Sequence, residues 1–325
     1  MNPVDDFRPA GWLRNRHVQT IAASLSPWPL AMPAQDRLVF ALGSDSALIA
    51  RAWWHPGRRR TLLLLHGVGG SAESGYMLRS AIAFHRAGCN VVRLNLRGAG
   101  EGVSHARSIY HAGLTSDVDH VVRELVRDTR VAELCIVGFS LGGSIALKLA
   151  GEWRDAPPHG VVGLTTVSAP TDFHAVSDEL ERVTTFPYRR FIVRGVVRQA
   201  LAFAHHHPTL ADFDRAALLR ARTIREYDAV VMVPMHGFDS VRHYYDTTTS
   251  APWLPTITVP TLLIHADDDP IIPAASVRAS LPSASPAVRT AWTSHGGHVG
   301  WFAGIRTSDR LNTWAVRRVL GFFGT

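Results

Sequence analysis

The sequence predicts an α/β fold on a mostly parallel sheet, with an antiparallel hairpin at its start and a helical insertion before its last strands. Three observations lead there. Between residues 60 and 167, short apolar runs alternate with segments of helical periodicity, the pattern of consecutive βαβ units. The runs at 61–65, 91–96, 134–137 and 161–167 read as apolar without polar alternation, as strands covered by helices on both faces do. From 169 to 255 that rhythm stops, and a helix-like stretch rich in Arg, His and aromatic residues supplies no strand.

In chain order, residues 1–35 form an N-terminal arm, 36–168 and 256–325 the core, and 169–255 an inserted helical cap. Segments 36–42 and 47–54 flank Gly43, Ser44 and Asp45 and read as the antiparallel hairpin. Ser116, with Asp119 three residues later, opens a helix whose Val118, Val121, Val122, Leu125 and Val126 share one face. After Val259 come a strand at 261–265, a helix around 276–280, a strand at 288–292 and a terminal helix over 309–322.

Composition narrows the function classes. With 325 residues, 46% of them hydrophobic and 19% charged, the chain falls among ordinary globular proteins. Residues 1–10 contain Asp5 and Asp6 and no apolar run, so a secretory signal is not expected. The run 62–65 is far too short for a bilayer core of about 30 Å, and a soluble, cytoplasmic protein is the expectation. Cys89 and Cys135 fall at or inside buried strands and read as reduced structural thiols rather than metal ligands. The net charge of +7 comes from arginine, Lys148 being the only lysine. The arginines are scattered and no nucleic-acid module is recognisable, so nucleic acid is not an expected partner.

The chemistry is concentrated in four short segments. Gly138-Phe139-Ser140-Leu141-Gly142 lies between an apolar strand and a helical pattern. Glycines two positions either side of a serine permit a tight strand-to-helix turn that projects Oγ at the carboxyl edge of the sheet, where a nucleophile is needed. A serine hydroxyl requires a base, and His298, in the Gly-rich loop His295-Gly296-Gly297-His298-Val299-Gly300 after the last strand, is favoured over its loop neighbour His295. The imidazole requires an orienting carboxylate after another strand. Among Asp267, Asp268 and Asp269, Asp269 is favoured because Pro270 starts the turn after it; Asp268 is the alternative, and Asp267 reads as a loop cap. His66-Gly67-Val68-Gly69-Gly70 supplies the fourth element, the backbone N–H of Val68 pairing with that of Leu141 as oxyanion donors. That segment lacks the lysine and spacing of a phosphate-binding loop.

The order Ser140, Asp269, His298 is the one used by α/β-hydrolases. The expected reaction is acyl transfer on a carboxylic ester through an acyl-enzyme on Ser140, without cofactor or metal. A thioesterase or amidase with the same residues is the nearest alternative, and a non-catalytic binding domain of this fold the next. A serine at the elbow argues against the dehalogenases and epoxide hydrolases of the fold, which carry a carboxylate there.

On these residues the sequence resembles the YheT-type branch of the α/β-hydrolases, esterases whose eukaryotic relatives are lipid hydrolases. The likeness includes Trp12-Leu13-Arg14-Asn15-Arg16-His17-Val18-Gln19-Thr20, Leu94-Asn95-Leu96-Arg97-Gly98, Thr223-Ile224-Arg225-Glu226-Tyr227-Asp228, His236-Gly237-Phe238 and Tyr244-Tyr245. It implies a nucleophile, acid and base at Ser140, Asp269 and His298, and short-chain esters, acylglycerols or phospholipids as substrates. The chain departs from the family at Ser144, where relatives usually carry Asn.

Two further features bear on partners. Arg190, Arg194 and Arg198 recur every four residues among Phe191, Ile192, Val193, Val196, Val197 and Leu201. The plainer reading is a cap helix over the site mouth with its arginines in water; the other is weak peripheral contact with an anionic membrane. His205, His206 and His207 are consecutive and do not converge as metal ligands do. His17 and Gln19 either touch substrate or pin the arm to the core.

Overall fold

The computed structural model describes residues 7–24, 34–304 and 306–324. Eight strands form one sheet: β1 (Asp36–Ala41), β2 (Ala47–Trp53), β3 (Arg59–Leu65), β4 (Asn90–Asn95), β5 (Val131–Phe139), β6 (Val161–Val167), β7 (Thr261–Ala266) and β8 (Val288–Thr293). Their spatial order is β1-β2-β4-β3-β5-β6-β7-β8. β2 pairs antiparallel with both β1 and β4, and every other pairing is parallel.

Helices α1 (Arg16–Ser24), α2 (Gly75–Arg86), α3 (Thr115–Leu125) and α4 (Leu141–Trp153) precede β6. Between β6 and β7 lie α5 (Phe173–Glu181), α6 (Phe186–His206), α7 (Arg215–Arg220), α8 (Ile224–Tyr227), α9 (Val233–His236) and α10 (Val241–Thr248), with no strand among the described residues. Helices α11 (Ala274–Ser280), α12 (Thr307–Leu311) and α13 (Trp314–Phe323) complete the chain.

The inner strands β2 to β7 are largely buried on both faces, whereas the edge strands β1 and β8 are not, and the buried side chains divide between two cores. Leu63, Leu65, Val92, Leu94, Leu134 and Ile136 face one. Leu62, Leu64, Val91, Cys135, Val137 and Ile264 face the other, which α2 and α13 cover. Both cysteines are buried and neither is in a disulfide, and burial pushes the Cys135 thiol up to about 12.

Three local expectations are corrected. Ser116 does not cap a helix: α3 begins at Thr115, Leu114 holds the cap position, and Asp119 accepts hydrogen bonds from Arg123 and from the Trp153 indole instead. The terminal helix is two helices, because Thr313 takes an extended backbone and caps a fresh start by accepting from the Val316 N–H. The run at 91–96 is buried but not wholly apolar. Within it Arg93 is 1% exposed, donates to Ala72 O and Gln35 Oε1 and lies over the Trp53 ring, and Asn95 Oδ1 accepts from the Ala72 N–H.

Candidate active site

Ser140 stands between β5 and α4 with φ +50 and ψ −123, a strained conformation for a residue with a side chain. The turn is held by Ser140 N–H donating to Val167 O at 2.9 Å and by Gly143 N–H donating to Ser140 O at 2.8 Å. Its glycines are sterically required. A Cβ at Gly138 would sit 2.5 Å from Gly143 Cα, and one at Gly142 would sit 2.6 Å from the carbonyl oxygens of Leu65 and His66. Helix α4 therefore packs its first turn directly on the end of β3, beside residues 66–70.

That second loop has a specific pattern of satisfied donors. The Gly67 N–H donates to Tyr76 Oη at 2.8 Å and the Gly69 N–H to Tyr110 Oη at 2.7 Å. The Val68 N–H between them, like that of Leu141, has no hydrogen-bond partner among the described residues. His66 is fully buried, with Nδ1 donating to Gly67 O at 2.8 Å and Nε2 accepting from the Leu96 N–H at 3.1 Å. Burial lowers its pKa to about 4, so the ring is neutral and ties the loop to the end of β4.

Asp269 follows β7. Its Oδ1 accepts from the N–H groups of Ile271 and Ile272 at 2.9 and 3.0 Å, and its Oδ2 lies 2.9 Å from His298 Nδ1. Burial acts to raise its pKa, but the charge of His298, the hydrogen bond to it and the nearby His265 outweigh burial and hold the carboxyl below its ordinary value. Asp268 points elsewhere. Its Oδ1 accepts from the Gly297 N–H at 2.8 Å, and His295 Nδ1 approaches its Oδ2 at 3.5 Å. Burial, opposed by these contacts, raises its pKa. Asp267 does not cap the loop: its carboxylate pairs with Arg278 of α11.

The loop carrying His298 is anchored from four sides. Asp268 holds Gly297, Thr20 Oγ1 accepts from the His298 N–H at 2.9 Å, and Ser168 Oγ accepts from the Val299 N–H at 3.2 Å. Gln19, fully buried, donates to Leu13 O and Phe302 O at 2.7 and 2.9 Å and accepts from the Phe302 N–H at 2.8 Å. Gln19 thus pins the arm to the core. His17 does something different, bonding the Tyr188 hydroxyl of α6 through Nδ1 at 2.6 Å.

Ser140, Val68, Leu141, His17 and His298 all line one cavity of about 610 Å³, whereas His295, Asp267 and Asp268 do not. No hydrogen bond joins Ser140 to His298 among the described residues; such contacts often tighten only when substrate is bound. Most of the remaining wall is apolar and comes from α5, α6, α8 and α10, with Ile21 and Phe191 at exposed positions. Among the described residues no group of three or more His, Cys, Asp or Glu is arranged to hold a metal ion. The sequence reading missed Tyr76 and Tyr110, and took in Thr20 only as part of the resembling segment 12–20, without a role. No local spacing betrays them, because each acts on a backbone group that tertiary structure brings near.

A family model described as the α/β hydrolase fold matches residues 60–304. The protein named Putative esterase YheT, of Escherichia coli (strain K12), is 31% identical, the match covering 97% of this chain and 92% of that protein. Phospholipase ABHD3 of Homo sapiens is 26% identical across 93% of this chain and 75% of its own. The structure of the Pyrococcus furiosus esterase Pf2001 shares the fold, with a TM-score of 0.57 at 15% identity over 90% of each chain. With three quarters of its length matched by the family model and nearly all of it by YheT, the chain belongs to the α/β-hydrolase family, in its YheT-type branch.

Proposed function

We propose that the protein hydrolyses carboxylic esters through an acyl-enzyme on Ser140. In this reading the serine attacks the ester carbonyl while His298 takes its proton through Nε2 and Asp269 holds Nδ1–H in place. The oxyanion forms where the N–H groups of Val68 and Leu141 point, and removal of one such donor costs about 3 to 4 kcal/mol of transition-state stabilisation. His298 then protonates the leaving alcohol, and water, activated by the same imidazole, releases the acid. The observation that carries the reading is the cavity into which Ser140 and His298 both open, its remaining wall mostly apolar.

That wall supports a lipid-type ester as substrate. A cavity of about 610 Å³ lies within the usual range for a ligand with a sizeable apolar part. The phospholipase designation of a relative that matches 93% of the chain supports the same class. A series of p-nitrophenyl esters of increasing acyl length is expected to show rising kcat/KM from acetyl to medium-chain esters.

The direct test is labelling by a fluorophosphonate probe together with ester turnover. Wild type is expected to label and Ser140→Ala to do neither; a folded wild type that fails to label and to cleave any ester overturns the proposal. Matched ester, thioester and amide substrates fix the leaving group, and a preference for amide or thioester overturns the ester assignment.

A further inference from the structure

The wall of the cavity contains a carboxyl that the proposed ester chemistry does not use. Asp228 follows α8 at the start of a π-helical turn, Asp228–Met232, and is 5% exposed. Helix α8 is set firmly. Thr223 and Glu226 form a reciprocal cap, and Arg225 pairs with Asp178 of α5 at 2.5 Å. The wide turn that follows brings Asp228 to the cavity, together with Tyr227.

Asp228 is the one carboxyl among the described residues lining this cavity. No cation among the described residues pairs with it. Its Oδ2 accepts from the Tyr245 hydroxyl at 2.7 Å. Oδ1 has no partner among the described residues. Burial raises the carboxyl to about 7, with the Tyr245 hydrogen bond acting against that rise. An apolar side chain here would be cheaper for folding, because a buried polar group without its full complement of hydrogen bonds costs roughly 1–3 kcal/mol. Ser177, Tyr244 and Tyr245 line the same cavity, and Tyr244 Oη is already engaged by the Ala112 N–H. Tyr227 and Tyr244 offer hydroxyl groups to the same wall, and Asp228 Oδ1 is its carboxylate acceptor without a partner among the described residues.

We propose that Asp228, held by Tyr245, forms a polar subsite of the cavity that takes a hydroxyl group of the substrate, so that the preferred ester carries a hydroxyl on its alcohol or its acyl part. A hydroxyl suits the position because it can donate to Oδ1 and is cheaper to desolvate than a cation. It also completes the hydrogen bonding of a group that the fold leaves incomplete. The inference rests on the ester-hydrolase reading of the same cavity and adds its selectivity.

The test compares substrate pairs that differ only in hydroxylation. One arm sets monolauroyl glycerol against propyl laurate; the other sets the p-nitrophenyl ester of ω-hydroxylauric acid against that of lauric acid. The first places the hydroxyl on the leaving alcohol and the second on the acyl chain. Wild type is expected to favour the hydroxylated member of one pair by about 10- to 100-fold in kcat/KM, the worth of a hydrogen bond to a charged or polarised buried group. In Asp228→Leu that ratio falls to about one, whatever the absolute rates, and in Asp228→Asn, which keeps an acceptor and the shape, it is largely retained. Thermal melting verifies that both variants are folded. A ratio unchanged in folded Asp228→Leu, or no preference by wild type in either arm, overturns the subsite while ester cleavage stands. Absence of all ester turnover and of probe labelling instead removes the ester-hydrolase reading. Preference for a quaternary-ammonium ester over both hydroxylated substrates also overturns the subsite as a hydroxyl site.

Discussion

Asp268 and Asp269 are neighbours in the chain with opposite surroundings. Asp269 faces His298 at 2.9 Å from a fully buried side chain, while Asp268 holds the backbone of Gly297. Asp269→Asn is expected to lower kcat by roughly 10³- to 10⁴-fold, since an amide cannot both accept from Nδ1–H and stabilise the imidazolium. Asp268→Asn keeps an oxygen for the Gly297 N–H and is expected to lower it by no more than about tenfold. Steady-state kinetics on one ester decide between them, and the reverse ranking overturns the assignment of Asp269. The sequence favoured Asp269 through Pro270, but three consecutive carboxylates look alike until the turn aims each of them. The same holds for His298 and His295, two imidazoles of one loop, of which only His298 reaches the cavity.

Helix α1 shows how an element far from the elbow shapes the site. Its residues Gln19 and Thr20 hold the loop of His298 through three hydrogen bonds to Phe302 and His298, and Gln19 also bonds Leu13 of its own arm. Removing the Gln19 amide strands two carbonyls and one N–H in a buried place. Gln19→Ala is expected to destabilise the protein by about 3 kcal/mol, with a lower melting temperature and reduced kcat as the loop loosens. Wild-type melting and turnover in this variant overturn the anchoring role. As sequence, 12–20 stood out only through family resemblance, because a polar helix near a terminus carries no apolar period that says what it packs against. The sheet strands were legible within a few residues, the inner ones because burial on both faces leaves largely apolar runs. Arg93 and Asn95 escaped that reading because their partners come from other segments.

At the scale of the whole molecule, the helices between β6 and β7 close one side of the cavity and also face solvent. On α6 the buried Ile192, Val193, Val196 and Ala200 pack inward, leaving Arg190, Arg194 and Arg198 exposed beside Phe191, which is 66% exposed. No helix among the described residues is long and apolar enough to cross a membrane. Contact with a lipid surface would therefore rest on such a face. Each basic residue near an anionic surface contributes about 1 kcal/mol, so changing all three arginines to Gln is expected to weaken binding to anionic vesicles about 100-fold at low salt. Co-sedimentation measures it, and the absence of wild-type binding at low ionic strength rules such contact out. By itself the sequence determined the parallel sheet, its antiparallel start and the elbow around Ser140, since apolar runs and obligatory glycines are local signals that survive without neighbours. Only the tertiary structure decided which carboxylate meets His298, which loop N–H groups stay free, and that Asp228 faces the cavity. Those outcomes depend on distances between groups remote in the chain, and hydrogen bonding discriminates over tenths of an ångström that no residue spacing encodes.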